Sequence, residues 1–430
     1  MHVVVRPAVF GAGCVTILLA LAMPAVASAS PGAPKVTAVA GTGAAGGRGD
    51  GGPARGAELD APTGIAVDSA GDIAVADSGN CRIRMMAARA GRHFGRAMRP
   101  GRIYTVAGMG CGRHPASGSS EVALVDPTAV AFDARGDLLI ADASGNRVLE
   151  LPAVSGRNFA VAVTAGRLVS LAGTGAAGSS ADGRPARSAL LDEPRGVAVD
   201  AEGDLFIADT GNCRVQEVPN GPASSSAGGG GRRAGHLYTV AGTGVCGDAG
   251  DAGPAAKAEL WAPTAVAVDG AGDLLIADQG NCDVREVPVT TGTFYDVPIA
   301  AGNIGTVAGQ GAHSDYLNDG LSAAGPAADL NFPTGLAVDG AGDLFIADSD
   351  ERSIREVAAH DATVFGRRVI GGDMYTLAGM LPVGGAGPAG DGTKWISTRL
   401  VYPYGVAAGP GGSIYFSDQG ANRVRRIAGP

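Results

Sequence analysis

One phrase written six times constrains this chain more than anything else in it. In its first copy it reads Pro62-Thr63-Gly64-Ile65-Ala66-Val67-Asp68, then Gly71-Asp72-Ile73-Ala74-Val75-Ala76-Asp77, then Cys81-Arg82-Ile83-Arg84. Copies begin at Pro62, Pro127, Pro194, Pro263, Pro333 and Pro403, spaced by 65, 67, 69, 70 and 70 residues. A second phrase, Tyr104-Thr105-Val106-Ala107-Gly108, stands a short loop ahead of the next copy, and its counterparts end at Gly41, Gly173, Gly242, Gly309 and Gly379. A fixed period of this fidelity signals a solenoid or a ring rather than independent domains.

Each unit offers four short β-rich runs, in the first copy 65–68, 73–76, 82–85 and 103–107, separated by Gly and Asp turns. Four antiparallel strands per repeat make a propeller blade, so six copies predict an all-β, six-bladed β-propeller. The second run, such as Leu205-Phe206-Ile207-Ala208, is apolar throughout, as a strand covered on both faces by neighbouring blades should be. The last copy stops after its third strand at Arg423-Val424-Arg425-Arg426-Ile427, while an orphan strand, Val36-Thr37-Ala38-Val39-Ala40, precedes the first copy. The N-terminal strand is therefore expected to complete the last blade and close the ring. Composition agrees: 71 Gly and 45% hydrophobic residues with only 17% charged describe a turn-rich folded protein.

These residues resemble the NHL repeat family. Blade 3 carries the pattern best, in Pro194 to Asp200, Gly203-Asp204, Ala208-Asp209 and Asn212-Cys213-Arg214, and the resemblance spans residues 36–430. It implies a six-bladed ring used as a binding and scaffold module, and it is weak on function because one fold hosts many. Asp283 and Ser353 replace the Arg in blades 4 and 5, and Gly409 with Ser413 replaces the two Asp of the first turn in blade 6.

Residues 1–29 read as a signal peptide, with Arg6, an apolar run over 9–23, and Ala27-Ser28-Ala29 before cleavage; 30–430 is then the propeller. That reading expects an exported monomer without a membrane span in its mature part, in a compartment where disulfides persist. Cys81 and Cys213 stand just before the third strand, and Cys111 and Cys246 just after the fourth. The start of strand three lies beside the end of strand four, so the expected disulfides are Cys81–Cys111 and Cys213–Cys246. Cys282 shares the first position in blade 4, but no Cys follows Gly309, and it is left over.

Several motifs have structural readings that outweigh their chemical ones. Asp-x-x-Gly-Asp sequences such as 269–273 and 339–343 suit calcium, yet the same residues fill hairpin turns. Arg48-Gly49-Asp50 spells an adhesion tripeptide but sits within the repeat's Gly-Asp-Gly-Gly-Pro-Ala phrase. Asp77 with Arg82, Asp142 with Arg147, Asp209 with Arg214 and Asp418 with Arg423 share one spacing that suggests ion pairs. No zinc spacing, P-loop or nucleophile motif is present, so no catalytic residue, metal ligand or cofactor is assigned.

A ligand site must break the repeat, and the symmetry breaks around the start of the innermost strand. Trp261, Phe332, Tyr402 and Tyr404 are aromatic there in blades 4 to 6, and Asp192, Glu193 and Arg195 are charged in blade 3. An aromatic shelf facing a charged group suits a sugar or a peptide; the alternative is that these rings fill the wedge between blades. The loops joining strands three and four carry Arg89, Arg92, Arg96, Arg99 and Arg102, then Arg232, Arg233, Arg367 and Arg368, which predicts a basic face opposite.

Two function classes stay open. One is a secreted, non-catalytic propeller binding a protein, a peptide or a cell-envelope polymer such as a glycan. The other is a propeller enzyme, lactonase- or lyase-like, with a metal at the channel mouth. Nucleic acid is a poor partner for an exported chain of net charge −9.

Overall fold

Each copy of the repeat folds into one antiparallel sheet of four strands, to which Arg184–Pro185 in blade 3 and Leu321–Ser322 in blade 5 add a short fifth at the outer edge, in the computed structural model, which describes residues 35–112, 122–221, 231–310, 319–379 and 398–429. The segment 1–29 lies outside these residues. In blade 1 the strands are Pro62–Val67, Ile73–Asp77, Arg82–Met86 and Ile103–Ala107, from the axis outward. The inner strand starts at the proline, three residues earlier than the sequence suggested, because a residue without an N–H is tolerated at the first position of a strand. Pro62 pairs with Asp77, and the register shifts before Ile65.

Inner strands neighbour one another around the whole ring, blade 6 meeting blade 1. Val36–Ala40 is the outer strand of blade 6, antiparallel to Arg423–Ile427, so the N-terminal strand closes the propeller as expected. The axis is tight. A Cβ on Gly64 would stand 2.6 Å from Ala129 Cα of the next blade, and one on Gly405 would stand 2.6 Å from the Thr63 carbonyl oxygen. Gly is therefore a packing requirement in the four blades that carry it, while Ala129 and Ala265 take the position in blades 2 and 4. The apolar core is divided into wedges between adjacent blades: Ile65, Val75, Ala407 and Val424 pack together across the seam of blades 6 and 1.

The aspartate ending each second strand has one duty in every blade. It accepts the backbone N–H two places before its own blade's proline, from Asp60, Val125, Asp192, Trp261, Asn331 and Val401, at 2.7–2.8 Å. Its ion pairing departs from expectation. Asp142–Arg147 (2.8 Å) and Asp209–Arg214 (3.2 Å) form as read. Asp77 and Asp418 instead meet Arg84 (3.3 Å) and Arg425 (2.7 Å), seven residues on. Both spacings put the side chain on the same face, but the fifth residue lies at the strand's rim. There Arg82 and Arg423 donate to the Gly47 and Thr42 carbonyls of the incoming segment. Arg285 and Arg355 fill the deeper position in blades 4 and 5, where Asp283 and Ser353 had removed the nearer arginine, and all four deep arginines are fully buried.

The carboxylates of the Asp-x-x-Gly-Asp turns are backbone acceptors. Asp269 takes the N–H of Ala271 and Asp273, and Asp273 takes that of Val289 (2.7 Å). In blade 6 Ser413 replaces the second Asp and accepts the Gly429 N–H. Asp50 of the Arg-Gly-Asp tripeptide caps the outer strand of blade 1 by accepting the Thr105 N–H and pairing with Arg96 (2.7 Å). Asp182, Asp251 and Asp319 do the same for Thr239, Thr306 and Thr376.

Both disulfides form as expected, Cys81–Cys111 and Cys213–Cys246, with Cα separations of 5.0 and 5.3 Å. Cys282 lies outside them and has its own place. The residue before each third strand is left-handed, at φ 47–55° in all six blades. There Asn146 and Asn422 accept the N–H of Glu193 and Ala61 in the following blade. The Cys282 sulfur meets the Phe332 backbone N–H in the same way, and burial pushes its thiol up to about 11.

Where the sequence suggested open loops between strands three and four, blades 1, 2, 4 and 5 carry small hairpins, such as Gly91–His93 with Arg96–Met98. Each turns on an aromatic residue with left-handed backbone: Phe94, Phe159, Tyr295 and Phe365, at φ 45–48°. The Phe159 N–H is held by Asn220 of blade 3, and the Tyr295 hydroxyl donates to the Gly342 carbonyl of blade 5 (2.8 Å). The hairpins are clasps between blades.

Candidate binding site at the channel mouth

A threonine follows the proline in four inner strands, and its hydroxyl builds the ring. Thr63, Thr128, Thr264 and Thr334 each donate to a carbonyl of the following blade, at Pro127, Arg195, Pro333 and Tyr404, over 2.9–3.4 Å. Arg195 and Tyr404 take this position in blades 3 and 6. The joint is not lost there: Thr210 donates to the Pro263 carbonyl (2.6 Å), and Ser417 donates to that of Thr63. The Thr210 bond is the one that Ser78 and Ser349 also make, to the Pro127 and Pro403 carbonyls, so Ser417 alone is peculiar to its blade, and Arg195 and Tyr404 do not take the threonine's role. Blades 3 and 6 are opposite in a six-membered ring, so both side chains point at one another.

They meet. The Arg195 guanidinium is hydrogen-bonded to the Tyr404 hydroxyl and donates to Glu193 Oε2 at 2.9 Å. Burial raises the Tyr404 phenol above its usual range, against the opposing pull of Arg195. The axial space is narrow, about 60 Å³, and is lined by all six inner strands, with Arg195, Tyr404, Thr128, Thr264 and Thr334 among the lining residues. Tyr402, half-buried, sits beside Tyr404 and Arg195 with Asp350 nearby, and burial lifts its phenol too.

The remaining expected residues lie on the same face but farther out. Trp261 is 54% exposed and leans over the turn at Gly280, whose N–H donates to its carbonyl (2.8 Å). At that exposure it does not fill a wedge between blades. Asp192 stands over Gly211 in the equivalent place of blade 3, Glu193 is exposed, and Phe332 is half-buried beside Cys282. The arrangement differs from a shelf facing a distant charge, because Arg195 and Tyr404 are in contact across the axis. The sequence reading missed Thr210 and Ser417. The signal for Thr210 was faint, a hydroxyl after the second-strand aspartate that recurs in alternate blades as Ser78, Thr210 and Ser349; Ser417, which precedes its aspartate, has no counterpart in that pattern.

The face opposite is less available than its arginines suggested. Arg96, Arg232 and Arg367 lie over the rings of Tyr104, Tyr238 and Tyr375 and pair with Asp50, Glu217 and Asp319. Arg89 and Arg99 remain exposed to solvent.

The NHL repeat family model matches residues 59–84 and 191–217, the openings of blades 1 and 3. No curated protein matches the chain. A structural genomics protein of unknown function from Bacteroides thetaiotaomicron VPI-5482 is similar with a TM-score of 0.58 at 15% identity, over 92% of this chain and 76% of that one. An auxiliary nutrient binding protein from Bacteroides ovatus ATCC 8483 gives 0.57 at 13%, over 93% and 77%. A gluconolactonase from Xanthomonas campestris gives 0.50 at 10%, over 92% and 90%. At these identities the likeness is one of fold. Repeat, ring and family match agree: the chain is a six-bladed β-propeller that carries NHL repeat matches in blades 1 and 3.

Proposed function

We propose that this protein is a secreted, non-catalytic binding propeller that takes a peptide, a protein segment or a cell-envelope glycan at the channel mouth. The meeting of Arg195 and Tyr404, which stand outside the threonine ring and touch across the axis, carries the reading. Two side chains that leave the common structural role and converge on the axis have a use of their own. Around it Trp261 and Tyr402 offer ring faces for stacking, while Arg195 and Glu193 offer directed hydrogen bonds. Propellers similar in fold include both a nutrient binding protein and a gluconolactonase, so the chemistry of the mouth decides. Hydroxyls, one guanidinium and a phenol are donors and neutral acceptors, a poor set for a catalytic metal and a good one for a neutral or anionic polar ligand. Two disulfides and the apolar leader of the sequence support export.

The test is binding of soluble peptidoglycan fragments and of a mixed peptide library to the purified protein, by calorimetry and retention on the immobilised chain. Trp261→Ala is expected to change stability by less than about 0.5 kcal/mol, as an exposed side chain should, and to weaken retention several-fold. Arg195→Ala is expected to abolish retention. Equal retention by wild type and both variants would refute the mouth as the site.

A further inference from the structure

On the face opposite the mouth, two departures from the repeat and a hairpin histidine converge on one crevice between blades 1 and 2. The eighth residue after the second-strand aspartate is a buried glutamate in blades 2 to 5, Glu150, Glu217, Glu286 and Glu356, but Met85 in blade 1. The last inner-strand residue is valine in blades 1, 3, 4 and 5 but Phe132 in blade 2. The hairpin residue that is Asn158 in blade 2 is His93 in blade 1. Met85, Phe132 and His93 line one cavity of about 370 Å³, together with Asp68, Arg92 and Phe94, a size that suits a small organic ligand. The clasp residue is set differently here as well. Phe159 and Phe365 are buried and the Tyr295 hydroxyl is anchored, whereas Phe94 is half-exposed at the cavity wall.

The polar side of the cavity is pre-oriented. Asp72 Oδ1 accepts the Ala88 N–H, and its Oδ2 lies 3.0 Å from His93 Nδ1. A carboxylate at Nδ1 fixes the tautomer that carries its proton there, so Nε2 presents a lone pair and accepts from an incoming O–H. The Arg92 guanidinium, whose Nη2 donates to the Gly95 carbonyl, stands beside it and favours charge building on that oxygen. Phe94, Phe132 and Met85 supply two ring faces and a polarisable thioether for a flat apolar body.

We propose that this crevice is a binding site for a small phenolic molecule, its ring held among Phe94, Phe132 and Met85 and its hydroxyl donating to His93. The site is separate from the mouth and does not depend on the function assigned there.

The probes are 1-naphthol and 1-methoxynaphthalene, which share the ring and differ in the O–H. Titrated into the purified full chain and followed by probe fluorescence, 1-naphthol is expected to bind about tenfold tighter or better, the worth of one directed hydrogen bond. His93→Asn keeps a donor to Asp72, as Asn158 does for Asp137 (2.7 Å) in blade 2, and is expected to bring 1-naphthol down to the methoxy level without changing the methoxy probe. Ala165 lies exposed at the cavity wall, so Ala165→Trp fills the crevice from outside and is expected to remove both probes while the melting temperature holds. Equal affinity for the two probes, binding undiminished in Ala165→Trp, or no saturable binding below about 1 mM would each overturn the proposal.

Discussion

The blade 1–2 and blade 4–5 junctions are clasped by the same hairpin and settle its acidic seat in opposite ways. Under the blade 4 hairpin, Glu286 is buried beside Asp273 and Asp269 with no cation from the hairpin, whose strands are Gly292–Phe294 and Val297–Ile299. Burial and those two carboxylates push its carboxyl up to about 8, and Tyr295 closes over it. In blade 1 the glutamate is gone, His93 reaches Asp72, and the clasp stands partly open over a cavity. One template thus gives a sealed joint where the charge is suppressed by protonation, and an accessible crevice where it is met by a histidine. Blades 2 and 3 lie between these extremes, with Asn158 on Glu150 (2.6 Å) and Arg232 on Glu217.

Removing the clasp aromatics should separate the two junctions most. Tyr295→Ala is expected to cost about 3 kcal/mol, from lost ring packing and the unpaired Gly342 carbonyl, measured by urea unfolding. An effect no larger than that of Phe94→Ala would break the contrast.

The pH dependence comes next. A carboxyl raised in the folded state keeps a proton that the unfolded chain releases above its ordinary range near 4.5, so stability is greatest below that range and falls as pH rises toward about 8. Glu286→Gln is expected to remove its part of this fall, roughly 3.5 kcal/mol between pH 5 and 8. Identical slopes in variant and wild type would show that Glu286 is ionised in the fold. The smallest effect is expected of Phe94→Ala, about 1 kcal/mol, because its ring already borders solvent-sized space. A loss as large as that of Tyr295→Ala would mean the crevice closes in solution.

How far the sequence carried these conclusions differs by element. The ring, its four-stranded blades and its closing strand were legible because the repeat supplies six statements of one pattern, and both disulfides followed from strand adjacency within a blade. The arginine pairing was half legible. Arg82 and Arg84 both face Asp77, and strand periodicity alone does not say which one lies at the rim. The hairpins were not legible, since three-residue strands around a Phe or Tyr carry too little alternation to stand out from loop. At the mouth, the odd residues Arg195 and Tyr404 were visible as departures, but not that they touch.

By itself the sequence determined what depends on local pattern and repetition: strand order, turn chemistry, the closed ring and the cysteine pairs. Tertiary structure decided everything that depends on which blades face each other. Blades 3 and 6 are far apart in the chain, yet ring closure at six sets Arg195 against Tyr404. Met85, Phe132 and His93 stand in three different strands, and only the packing of blade 1 on blade 2 gathers them around one cavity. Cys282, left over by counting, found its place through the Phe332 N–H of the next blade, a contact between blades that no spacing within one repeat encodes.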